Sequence, residues 1–149
     1  MNLTQHFTVE DFERSDAAAR FELDNTMPHE FYGSATGVCT LLEQVQILLG
    51  PVRLTSGYRS LEVNTRIGGS AVSAHMQGRA ADFHVDGMTP YDTAMALVAS
   101  DIFYDKLILE FQKWVHIQVP KVGDDPRKQA FTARIVAGVT QYPQGVLSA

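Results

Sequence analysis

Apolar residues recur at Val38, Leu41, Leu42, Val45, Leu48 and Leu49, a helical period, and the run meets Gly50-Pro51, a pair that ends a helix. Val52 to Ser56 then reads as a strand ending at Gly57. From Ala80 to Val85 the residues alternate, which sets Asp82 and His84 on one face of a strand and Phe83 and Val85 on the other. Lys106 to Phe111 and Trp114 to Val119 are two strand-like runs around Gln112-Lys113, the pattern of a hairpin. Phe131 to Val136 suggests a further strand. Three short helices are signalled by their caps: Thr8 before Val9–Arg14, Ser60 before a segment ending ahead of Gly68-Gly69, and Thr89-Pro90 before Tyr91–Ala99. Phe21 to Tyr32 reads as irregular, and residues 137–149 as a loose tail. Strands and helices mix without a βαβ rhythm. The pattern therefore predicts a single α+β domain over residues 1–149, with a central antiparallel sheet flanked by helices.

Composition narrows the function classes. The chain has 149 residues, 45% hydrophobic and 19% charged, enough for one domain with a real core. Its net charge of −5 argues against nucleic acid as a partner, because such proteins present a basic face. The single cysteine, Cys39, excludes an internal disulfide framework and a cysteine-rich zinc site. It lies in the apolar helical pattern, where a buried inert thiol is the expected reading and a reactive one the alternative. The opening Met1-Asn2-Leu3-Thr4-Gln5-His6 has neither a basic head nor an apolar run, so no secretory signal is expected. No apolar stretch approaches the ~18 residues of a membrane span. The expected protein is a monomer made in the cytoplasm, with no membrane insertion.

The chemistry concentrates in Ser73-Ala74-His75-Met76-Gln77-Gly78-Arg79-Ala80-Ala81-Asp82, which sets a histidine and an aspartate seven residues apart. His116 follows in Trp114-Val115-His116. Two imidazoles and one carboxylate suit an open zinc site, with a fourth position for water. Asp82 stands in a strand of small and apolar residues, where a carboxylate is costly unless exposed, paired or bound to metal. On the hairpin, Trp114, His116 and Gln118 share a face opposite Val115, Ile117 and Val119. Glu110 shares the His116 face only in one turn register, since a slip of one residue reverses it. Taken singly, a strand histidine is ordinarily a surface or satisfied residue and a strand glutamate is ordinarily solvated. The reading rests on their combination.

Ser73-x-His75-x-x-Gly78-x-Ala80-x-Asp82 with Trp114-x-His116 resembles the zinc D-Ala-D-Ala carboxypeptidase family. That family includes vancomycin-resistance dipeptidases and phage endolysins and shares its fold with the Hedgehog signalling domain. The resemblance extends through Ser56-Gly57-Tyr58-Arg59-Ser60, Asn64, Gly68-Gly69-Ser70 and the opening Phe7 to Ser15, and covers roughly residues 7–119. It implies one zinc ion held by His75, Asp82 and His116. Glu110, six residues before the last ligand, matches the catalytic glutamate of Hedgehog-like members. Dipeptidase members that carry it three residues before have Lys113 at that place here, which cannot serve as base. Where relatives have His-x-His, this chain has Trp114-Val115-His116, so the role of the extra histidine is unfilled or passes to another group such as His84. His84 is otherwise a partner for Asp82 or a plain surface residue. Arg59 resembles the arginine that faces substrate, the alternative being a structural salt bridge. Ser73 is expected to shape the loop or touch substrate, and Trp114 to line the pocket or pack in the core. Arg79 is expected to brace the metal loop.

The function implied is hydrolysis of a peptide bond in the peptidoglycan stem. D-Ala-D-Ala carboxypeptidase action is the first expectation. Endopeptidase action of the endolysin kind, such as L-Ala-D-Glu cleavage, is the second. A non-catalytic wall-binding or virion module on the same fold is a third reading, since fold and metal do not guarantee turnover. The expected place of action is the bacterial cell wall, reached through a holin or the virion.

Overall fold

In the computed structural model, which describes all residues from Met1 to Ala149, the helical period predicted around Val38 becomes α3 (Tyr32–Leu49). It buries Ala35, Val38, Cys39, Leu41, Leu42 and Val45, while Leu48, counted in the predicted stripe, is half exposed. The helix starts six residues before Val38. Its first turns hold Gly33, Ser34 and Gly37, which carry no apolar signal to read. Burial pushes the Cys39 thiol up to about 12, helped by the charges of Glu43 and Asp11, so this is the inert thiol expected.

The remaining helices are short and set by their caps. α1 (Val9–Glu13) opens on a capping box in which Thr8 and Asp11 satisfy each other's backbone N–H. α2 (Asp16–Arg20) is capped by Ser15 and leaves little trace in the hydrophobic pattern, because only Ala18 is buried. α4 (Leu61–Arg66) is capped by Ser60. α5 (Pro90–Val98) is capped by Thr89, with Pro90 in its first turn. The segment expected to be irregular from Phe21 to Tyr32 is so up to Pro28; a 3-10 turn at His29–Phe31 then leads into α3, which begins at Tyr32.

The strands are β1 (Val52–Ser56), β2 (Ala80–Val85), β3 (Lys106–Glu110), β4 (Trp114–Gln118), β5 (Gln129–Val136) and β6 (Val139–Gln141). They form one six-stranded sheet in the order β1-β2-β4-β3-β5-β6. All pairings are antiparallel except β3 with β5, because the chain leaving β4 passes over β3 before pairing again. The fold is thus α+β with a mostly antiparallel sheet. Residues 137–149 are not a loose tail. β6 pairs with β5, Thr132 N–H donates to the Pro143 carbonyl at 3.0 Å, and Gly145 N–H donates to the Ala130 carbonyl at 2.8 Å. This part is held by backbone pairing while its side chains, such as Val139 and Tyr142, stay exposed, so hydrophobic periodicity could not reveal it.

Strand alternation divides the sheet into two different faces. Ala81, Phe83, Val85, Leu107, Leu109, Val115 and Ile117 join residues of α1, α3 and α5 in one core. Asp82, His84, Glu110, His116 and Gln118 occupy the alternate positions and face the other way. The helical layer covers one side of the sheet and leaves the other for chemistry.

Candidate metal centre

Four elements bring the polar cluster together. His75 stands in a 3-10 turn (Ala74–Gln77), Asp82 in the middle of β2, His116 in the middle of β4 and Glu110 at the end of β3. In the sheet register Asp82 lies opposite His116, Ile108 opposite His116, and Glu110 opposite Trp114. Directly opposed residues of antiparallel strands share a face, so the hairpin has the register that puts Glu110 beside His116. The turn achieves it with Phe111 and Gln112 both at positive φ, 56° and 60°.

The turn that carries His75 is shaped by its ends. Ser73 caps it, its Oγ accepting from His75 N–H at 3.2 Å. Gly78 closes it with φ 66°, where a Cβ would also press on Phe31 at 3.1 Å, so both conformation and space call for glycine. His75 Nδ1–H donates to the Gly57 carbonyl at 2.7 Å. Its Nε2 is buried without a hydrogen-bond partner and lies 3.3 Å from Asp82 Oδ1. His116 Nδ1 stands 3.0 Å from the same oxygen and 3.5 Å from Glu110 Oε1. One donor atom from each of His75, Asp82 and His116 falls within 4.8 Å of the others. This group can hold a metal ion.

Charge and burial act together here. Burial lowers the His75 pKa, against the pull of Asp82, which keeps the ring neutral. Burial alone would raise Asp82, but the two histidines hold its carboxyl well below the usual carboxylate range. Burial works against the charged form of His116, yet its hydrogen bond to Asp82 and the charges of Asp82 and Glu110 leave it raised. Glu110 is raised by burial and by the charge of Asp82. Arg59, between Gly57 and the capping Ser60, feels Asp82 and Glu110 but is lowered by its own burial. Its Nε is buried without a partner, and its guanidinium makes no ion pair. The structural salt bridge considered as its alternative role is absent.

The other singled-out residues divide. Trp114 buries its indole N–H without a hydrogen-bond partner, close enough to Glu110 to pull its pKa down but outside hydrogen-bond geometry. Its ring packs edge-on to Phe111 at 5.9 Å between centroids. His84 makes no hydrogen bond to Asp82 and stands opposite Arg53. Arg79 donates to Gln77 Oε1 at 2.8 Å and to the Val119 carbonyl at 3.0 Å, which ties the His75 turn to the end of β4. Two contributors escaped sequence reasoning. One is the Gly57 carbonyl, which no side-chain motif encodes. The other is Gln118, whose Oε1 is 2.9 Å from His116 Nε2; its alternation with His116 was the only available signal.

No curated protein matches this chain. The peptidase M15 family model matches residues 5–118, a span that runs from before α1 to the end of β4 and includes every residue of the cluster. On that match, and with a fold and donor set that agree with it, the chain belongs to the peptidase M15 family of peptidoglycan-directed metallopeptidases.

Proposed function

We propose that this protein is a zinc D-Ala-D-Ala carboxypeptidase acting on the peptidoglycan stem at the bacterial cell wall. His75, Asp82 and His116 are its metal ligands, Glu110 its general base, and Arg59, Ser73 and Trp114 its substrate contacts. The observation that carries the reading is His75: a buried imidazole whose Nδ1–H is committed to a backbone carbonyl and whose Nε2 lone pair has no partner. A neutral ring held this way beside a carboxylate and a second imidazole fits a divalent ion, since ligating histidines donate their other N–H to a fixed acceptor. When bound, the ion supplies Lewis acidity to the attacking water and the scissile carbonyl.

The protein's own groups do the rest. The Glu110 carboxylate accepts the proton of the attacking water and returns it to the departing amine nitrogen. Burial and the Asp82 charge raise its pKa, which brings the carboxylate closer to the basicity a proton shuttle needs. Arg59 offers an unpaired guanidinium, suited to a carboxylate in a two-pronged contact. This favours a substrate with a free C-terminus over an internal bond. Ser73 holds the His75 turn in shape, and Trp114 walls the space beside Glu110.

Mass analysis of stem pentapeptides after incubation with the zinc-loaded protein tests the proposal. Release of free D-Ala from the terminus is the expected result. Fragments cut inside the stem would replace it with an endopeptidase. Intact peptides with zinc present would leave the wall-binding reading.

A further inference from the structure

We propose that Gln118 is a positioning residue that selects which nitrogen His116 offers to the metal. The inference rests on the reading of His75, Asp82 and His116 as ligands. A neutral imidazole carries one N–H and one lone pair, and only the lone pair can bind an ion. For His75 the choice is made by the Gly57 carbonyl, which accepts from Nδ1–H and leaves Nε2 facing Asp82. His116 is turned the other way. Its Nδ1 faces Asp82 and Glu110, so an ion held there would take the Nδ1 lone pair, and the proton the ring keeps would sit on Nε2 and need an acceptor.

Gln118 Oε1 is that acceptor, at 2.9 Å. His116 is 6% exposed and Gln118 8%, so solvent does not substitute for it. Two residues apart on one strand, they share a face by backbone geometry. The strand itself is central: Gln118 stands opposite Ala80 on one side and Lys106 on the other, and its carbonyl accepts from Asp105 N–H at 2.9 Å. An amide also suits the charge of the site. It accepts a hydrogen bond without adding a third carboxylate beside Asp82 and Glu110. The two histidines thus present opposite ring nitrogens, each set by a neutral oxygen behind it.

The test measures zinc affinity by competition with a chromophoric chelator at pH 7, together with the His116 Nε2–H proton signal of the zinc-loaded protein. Gln118→Met, similar in size but without a strong acceptor, is expected to weaken zinc binding about 10–100-fold and to lose the slowly exchanging Nε2–H. Gln118→Glu, which keeps the acceptor, is expected to retain both. Wild-type zinc affinity and a protected Nε2–H in Gln118→Met would overturn the proposal, as would a loss of zinc in a folded Gln118→Glu. Should Gln118→Met fail to fold, the wild-type ring decides: a zinc-loaded protein whose His116 proton sits on Nδ1, or whose Nε2–H exchanges freely, would overturn the proposal. A wild-type protein that binds no zinc would instead overturn the ligand assignment on which the inference stands.

Discussion

At the scale of single residues, Glu110 and Lys113 show how spacing becomes chemistry. Both lie near the β3–β4 turn, yet only Glu110 occupies a strand position facing His116. Glu110→Gln keeps the shape and removes the proton acceptor. It should slow stem-peptide hydrolysis by about 10²–10⁴-fold while zinc content, read by metal analysis, stays that of the wild type. A variant turning over at the wild-type rate would remove Glu110 from the mechanism. Arg59 was legible as a motif residue, but its free guanidinium was not, because pairing depends on which carboxylates the fold brings near.

At the scale of elements, the end of β1 and the connection from β4 to β5 carry the strictest demands. A Cβ on Gly57 would lie 2.5 Å from the Phe12 carbonyl oxygen and 2.7 Å from its ring. The same backbone accepts the His75 hydrogen bond and cannot easily retreat. Gly57→Ala should therefore cost about 1–3 kcal/mol by overpacking, seen as a lower midpoint of thermal unfolding; an unchanged midpoint would mean that α1 moves freely. Residues 119–128 are anchored by Arg127, whose backbone N–H, Nε and Nη2 all donate to the buried Asp105 carboxylate. Those bonds hold the Asp105 pKa below its usual value. A lowered native pKa gives stability that is complete above the unfolded value of about 3.9 and is lost as pH falls through the native one. Arg127→Met should accordingly move the acid-unfolding midpoint, followed by circular dichroism, to higher pH. Its deficit relative to wild type should shrink once Asp105 is protonated in both.

At the scale of the whole molecule, the cluster joins three separate stretches of chain: the turn at Ala74–Gln77, β2 and β4. An ion bound there stabilises only the folded arrangement, by about 4 kcal/mol when free metal is a thousand times its Kd. Chelation should lower the thermal midpoint, and added zinc should restore it. Equal midpoints with and without chelator would show that no ion couples to the fold. The sheet beyond β3 is a different matter. β5 and β6 extend past the family match, are paired through backbone, and expose Ile135, Val139 and Tyr142.

Local physics was enough for much of this. Thr8, Ser60 and Thr89 announced their helices because a cap is satisfied within a few residues. Alternation in β2 and β4 separated the core face from the face of Asp82 and His116, because side-chain direction in a strand has period two. The spacing of His75, Asp82 and His116 pointed to the metal centre and its family. What the sequence could not decide is backbone geometry. The parallel pairing of β5 and the backbone bonds that hold Pro143 and Gly145 join separate stretches of chain. The register that sets Glu110 beside His116 is local, but it is fixed by the positive φ of Phe111 and Gln112, which no apolar pattern announces. The orientation of each imidazole is likewise set by the fold. It depends on one oxygen behind the ring, the Gly57 carbonyl or the Gln118 amide, and only the folded backbone brings that oxygen within reach.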